Sequence, residues 1–296
     1  MWWWWLVLLL SPLTLLLVRG EQRGLSTHEK DLLCACRAFR TPFSNMETLV
    51  ARDLQGKDVV CETHGFSRRW MPLFSKSAES ELGVGWGLRA QVYVNRPENK
   101  PDAMLVAFKH FEHDTDTWVS RDWWQMFAYH GDETHTAYLG AHAAYWLSAA
   151  TQVARHLLAV DYTREASNMM KEIMGRSSTP ARLYITGFGA GGSIAAIQAA
   201  RLKSTSAVVF MAHGVGQMLP FYGYAPSRRV VNVVVQGAQS QLLGRQANRV
   251  CVVDGTGVRA DVLEYLYDGA GLVANNGSRV CVDELEGESP DAKGEL

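Results

Sequence analysis

Residues 182–193 read Arg-Leu-Tyr-Ile-Thr-Gly-Phe-Gly-Ala-Gly-Gly-Ser. A short apolar, β-prone run enters a glycine-dense turn, and a run rich in Ala and Ile leaves it as a helix should. Gly187, Gly189 and Gly191 stand where a nucleophile elbow, Gly-x-Ser-x-Gly, carries Gly, Ser and Gly; that strained strand-to-helix turn lifts a hydroxyl clear of a sheet. The turn is therefore expected here without the hydroxyl it serves. Gly187, Gly189 and Gly192 also satisfy Gly-x-Gly-x-x-Gly, the dinucleotide fingerprint. A third reading is a tight turn with close helix-to-strand packing and no ligand.

A dinucleotide site requires a carboxylate about twenty residues on, at the end of the next strand, to hold the ribose. The apolar run 207–212 ends instead at His213 and Gly214. No cofactor is expected.

Working outward, residues 88–94 alternate as a strand, 95–102 carry Pro97 and Pro101 and read as a turn, and 103–108 form an unbroken apolar run. Runs 207–212 and 230–235 have the same unbroken character, that of strands covered on both faces. Residues 249–253 and 279–282 read as edge strands. Helices are expected over 30–39, 163–173, 193–202 and 260–267. Another is expected over 139–157, where Leu139, Ala143, Leu147, Ala150, Val153 and Leu157 make one apolar stripe. Strands alternating with helices give an α/β fold with a mostly parallel central sheet flanked by helices. One domain is expected over 28–286, with a loose polar segment before it and a polar tail over 287–296.

Residues 2–18 carry no charge and are broken only by Ser11, Pro12 and Thr14 before Arg19 and Gly20, which reads as a signal peptide over 1–20. Contact with a membrane is expected only if that segment stays uncleaved. The sequence carries five cysteines. In an oxidising lumen Cys251 pairs with Cys281, and Cys61 with either Cys34 or Cys36, leaving one thiol. Asn276-Gly277-Ser278 is a glycosylation sequon, and the closing Lys-Gly-Glu-Leu is close to a retrieval signal of the endoplasmic reticulum. The expected location is the secretory pathway, either secreted or in the reticulum lumen. A formal net charge of -1 gives no reason to expect a nucleic-acid partner.

Residues from about 88 to 240 resemble the class 3, or fungal-type, lipases. The segment 105–111, Leu-Val-Ala-Phe-Lys-His-Phe, resembles that family's strand ending in Phe-Arg-Gly-Thr or Phe-Arg-Gly-Ser. Trp118 and Asp122 are similar to a Trp and Asp near its lid. Residues 185–192, Ile-Thr-Gly-Phe-Gly-Ala-Gly-Gly, resemble its Val-Thr-Gly-His-Ser-Leu-Gly-Gly, and Arg229 to Asn232 its strand before the catalytic acid. The resemblance implies an α/β-hydrolase-like fold and a link to lipid metabolism.

Carried over by position, the resemblance implies a vacated triad. Gly189 holds the place of the nucleophile, Gln236 or Gly237 that of the acid, and Phe111 that of a hydroxylated oxyanion residue, while Ala190 still offers its backbone N–H. The histidine should follow the acid, but the last histidine is His213. Acyl transfer without nucleophile and base has no first step.

Among substitutes, Ser193 is expected to project from the helix away from the strand ends, and His213 is expected to be structural. His110, His113, Asp114 and Asp116 lie in one short loop, which seldom completes a ligand set, so no metal is expected. Trp123, Trp124, Met126 and Phe127 fall where the family carries its lid, and fit either a lipid-facing surface or a core. The expectation is a catalytically inactive pseudo-lipase that binds a lipid or acyl ligand or a protein partner. The alternatives are an active ester hydrolase with an unconventional nucleophile and, more distantly, a nucleotide-binding module.

Overall fold

The computed structural model describes residues 22–37, 59–77, 88–95, 102–108, 161–176, 182–203, 205–216, 218–236, 246–253, 272 and 277–283. Expectations for the helices 139–157 and 260–267, the lid-like aromatics, the His110 cluster, Phe111, Gly237, Asn276, residues 1–20 and the tail lie outside the described residues.

The strands are β1 (Gln22–Arg23), β2 (Trp70–Ser77), β3 (Arg89–Asn95), β4 (Ala103–Phe108), β5 (Arg182–Phe188), β6 (Ser206–Phe210), β7 (Val230–Val235), β8 (Arg249–Val253) and β9 (Ser278–Asp283). They form one sheet in the order β1-β9-β8-β7-β6-β5-β4-β3-β2. The helices are α1 (Thr27–Arg37), α2 (Val59–His64), α3 (Phe66–Arg69), α4 (Tyr162–Arg176), α5 (Ala190–Leu202) and α6 (Met218–Phe221).

The α/β class holds, but the sheet is mixed rather than mostly parallel. Strands β4 to β8 are parallel, whereas β2, β3 and β4 run as an antiparallel meander and β9 is antiparallel to both β8 and β1. Between β3 and β4 the cause is connection length. A parallel neighbour needs a crossover of about a dozen residues or more, and only residues 96–102 separate β3 from β4. Pro72 sits in β2, the outermost strand, where a missing N–H costs no ladder bond, and the register shifts beside it.

Alternation along β4 assigns the two faces. Met104, Val106 and Phe108 enter one core cluster with Ile185 and the side chains of α4 and α5. Ala103, Leu105 and Ala107 enter the other with Leu32, Leu33 and Cys34 of α1. Helix α5 is buried from Ala190 to Ala200, because Gly, Ala and Ser let its axis lie close to the sheet. Its one long polar residue there is satisfied: Gln198 Nε2 donates to Thr163 O and to Ser167 Oγ at 3.0 Å each.

Other placements also depart from the pattern-based expectation, and α5 starts at Ala190 rather than 193. The segment before residue 28, expected to be loose, contributes β1, and Leu25 is buried. Helix α1 starts at Thr27 rather than 30, because Ser26 and Glu29 close a capping box: Glu29 N–H donates to Ser26 Oγ at 3.3 Å and Ser26 N–H to Glu29 Oε2 at 2.9 Å. Strands β8 and β9, both expected at an edge, are interior: β8 lies between β7 and β9, and the two-residue β1 covers β9.

Two disulfides are formed. Cys34–Cys61 ties α1 to α2, which settles the open choice between Cys34 and Cys36. Cys251–Cys281 joins directly opposed residues of β8 and β9, as paired in the sequence reading.

Candidate functional site

The parallel strands β4 to β8 end along one edge of the sheet, the edge where α/β folds place their sites. Here β5 turns into α5 through Gly187, Phe188 and Gly189. Gly189 is the N-cap of α5 with φ 57° and ψ -127°, a backbone region open to glycine and costly for other residues. Its N–H donates to Phe210 O at the end of β6 at 3.0 Å, and its carbonyl accepts from Ser193 N–H at 3.2 Å. The bend is thus held from both sides. A Cβ on Gly187 would lie 2.3 Å from Gly191 O and 2.7 Å from Gly192 N, so the first glycine is required by backbone passing over backbone.

Ala190 opens α5 and is 2 % exposed. Its N–H is among those that helix geometry leaves without an intrahelical acceptor, so the turn keeps a donor beside a position with no side chain. Gly191 and Gly192 are buried in the same first turn. Gln236 follows β7 directly, is exposed, and donates its N–H to Val253 O at 2.9 Å. Strand β6 lies between it and the elbow strand. Its amide has no carboxylate to orient a base.

Ser193 belongs to the first turn of α5 and is 1 % exposed. Its hydroxyl donates to His213 O at 3.0 Å. The hydroxyl is therefore committed to the backbone of the segment that leaves β6. His213 stands three residues past β6 and is half-buried.

Sequence reasoning missed what fixes the chain at 211–213. Asn232, 1 % exposed, accepts from Ala212 N–H at 3.1 Å and donates to Ala212 O at 2.8 Å. Gln246 Nε2 adds a bond to the same carbonyl at 3.3 Å. These bonds hold Met211 at φ 51°, an uncommon value for a residue with a side chain. The signal was available: Asn232 is the one polar residue in the run Val-Val-Asn-Val-Val-Val of β7.

Cys36, the unpaired cysteine, lies near the end of α1 with its Sγ 3.4 Å from Thr186 Oγ1, one residue before Gly187. The residue is half-buried, but its sulfur faces the sheet. Burial pushes the thiol pKa up to about 12, against a smaller lowering by the Thr186 hydrogen bond. It is a neutral thiol at physiological pH. Among the described residues no group of three or more metal-ligating side chains is assembled, and no helix is long and apolar enough to cross a membrane.

No family model matches this sequence. No curated protein matches it either. Among solved structures, the chain is similar to the crystal structure of M37 lipase, with 9% sequence identity, 72% of this chain and 68% of that one covered, and a TM-score of 0.39.

Proposed function

We propose that this chain is a lipase-like domain of an oxidising compartment that has given up ester cleavage and serves as a binding protein, with a lipid or acyl chain as its ligand. One observation carries the reading: the elbow at Gly189 is built and braced, yet no side chain stands on it. Among the described residues, the two nucleophiles beside the elbow are engaged or silent. The Ser193 hydroxyl is committed to His213 O, and the Cys36 thiol is held neutral by burial. Among the described residues, a bound carbonyl would meet the backbone donor at Ala190 but no group able to attack it. The two disulfides accord with an oxidising compartment.

The test is a pair of measurements on the purified full chain. Extraction with organic solvent followed by mass spectrometry is expected to release an acyl species in stoichiometric amount, and short- and long-chain esters are expected to stay intact. Ester turnover that co-purifies with the chain through several columns would overturn the inactive reading. Absence of acyl species, together with a stable protein complex from native tissue, would replace the lipid with a protein partner.

A further inference from the structure

We infer that the Cys251–Cys281 disulfide is a redox-responsive bond that a dithiol opens, and that its state is passed through Arg279 and Glu29 to the helix packed on the elbow strand. This stands independently of the acyl-ligand reading.

The two cysteines are register partners in β8 and β9 with Cα atoms 4.0 Å apart. The guanidinium of Arg279, two residues before Cys281, lies across both sulfurs. Its Nη2 is 3.0 Å from Cys251 Sγ and its Nε is 3.2 Å from Cys281 Sγ. A disulfide sulfur is a weak acceptor, whereas a thiolate is a charged one. The same N–H groups therefore hold the reduced form more strongly than the oxidised form. They also improve the leaving group, since exchange quickens as the departing thiol becomes more acidic.

Exposure sets the order of events. Cys251 is fully buried and Cys281 is half-buried, while Cys34 and Cys61 of the other disulfide are only 2 % and 5 % exposed. A dithiol thiolate attacks Cys281 Sγ and forms a mixed disulfide. The electron pair of the broken bond goes to Cys251 Sγ, which becomes a thiolate facing Arg279 Nη2. The reagent's second thiolate then displaces Cys281 and closes the reagent as a disulfide. Two electrons pass to the protein. Of the two protons the dithiol gives up, one ends on Cys281 and one in solvent.

The new thiolate competes for a guanidinium already engaged elsewhere. Arg279 Nη1 donates to Glu29 Oε1 and Oε2 at 2.6 and 2.7 Å, with both residues buried. Glu29 also closes the capping box of α1. That helix rests on the elbow strand: the His28 ring is 4.4 Å from the Tyr184 ring, and Cys36 meets Thr186. Drawing Arg279 towards Cys251 loosens the helix start and, with it, one wall of the elbow strand.

The experiment uses the full chain under native conditions. Opening by dithiothreitol is followed by differential alkylation and mass spectrometry at each cysteine, with amide hydrogen exchange read over residues 27–37. Cys251–Cys281 is expected to open at least about tenfold faster than Cys34–Cys61, and Arg279→Met to slow that opening by about tenfold. Glu29→Gln keeps the guanidinium, removes its competing carboxylate, and is expected to quicken opening. Exchange over 27–37 is expected to rise once Cys251–Cys281 alone is open. Equal opening rates for the two disulfides, or unchanged exchange in the selectively opened protein, overturns the inference. Should Arg279→Met fail to fold, the order of opening in the unsubstituted chain and the direction of the Glu29→Gln effect still decide it.

Discussion

The Ser193 hydroxyl donates to the carbonyl oxygen of His213 at 3.0 Å, joining the first turn of α5 to the segment that leaves β6. That contact makes Ser193 a brace. Ser193→Ala removes the donor and leaves a part-buried carbonyl short of one partner, a loss of about 1 kcal/mol. Thermal unfolding should register the change. Labelling by a fluorophosphonate probe should be equally absent before and after substitution. A labelled Ser193 peptide in the unsubstituted protein would return the residue to the list of nucleophiles.

Placing the missing hydroxyl at the elbow should not create an esterase. Gly189→Ser puts a side chain at φ 57° and ψ -127°, a backbone strain of about 1–3 kcal/mol. It supplies a nucleophile but no base and no acid. Gly189→Ala carries the same strain without the hydroxyl and is the matched control. The two variants are expected to lose similar thermal stability and to leave esters intact. Ester turnover by Gly189→Ser alone would show that a base already waits at the site.

The central strands were legible because their signal is local. Unbroken apolar runs such as 103–108 can be satisfied only by burial on both faces, and that is where β4 lies. The elbow was legible for the same reason, since glycine spacing is imposed by backbone approach: Gly187 has no room for a Cβ. The brace on that edge was less visible. Asn232 acts on Ala212 from a neighbouring strand, so its role depends on which strands become neighbours. Arg279 and Glu29 lie 250 positions apart, and no periodicity links them. Strand β2 escaped notice because Trp-Met-Pro-Leu-Phe-Ser-Lys-Ser contains a proline that argues against a central strand, and only an edge position accommodates it. The start of α1 was missed for a different reason. The Ser26-x-x-Glu29 box is a local signal that marks the helix start, and it sits at the end of a polar segment that reads as loose.

Cys36 should resist alkylation while the protein is folded. Burial raises its thiol pKa to about 12, so almost none of it is thiolate near neutral pH, and the thiolate is the reacting form. Iodoacetamide at mildly alkaline pH is expected to spare Cys36 in the native chain and to modify it promptly in denaturant. With the other four cysteines in disulfides, one thiol per chain should appear on unfolding. Rapid native alkylation at Cys36 would remove the basis for calling it inert.

His28 should make the fold sensitive to mild acid. Its pKa is lowered from 6.5 by burial, against the smaller opposing pull of the Asp31 and Glu29 carboxylates, and its ring packs edge-on to Tyr184. A group whose folded pKa lies below its unfolded value binds fewer protons in the folded state. Its contribution to stability is therefore present above the unfolded pKa, and is lost as pH falls through 6.5 towards the folded value. Melting temperatures measured from about pH 7 down to about pH 5 should fall more steeply for the unsubstituted protein than for His28→Gln, which cannot take up the proton. Because carboxylates add their own slope in the same range, the difference between the two curves is the quantity to read. Parallel curves would mean that His28 accepts its proton in the folded chain as easily as in the unfolded one, and that its burial against the elbow strand carries no electrostatic cost.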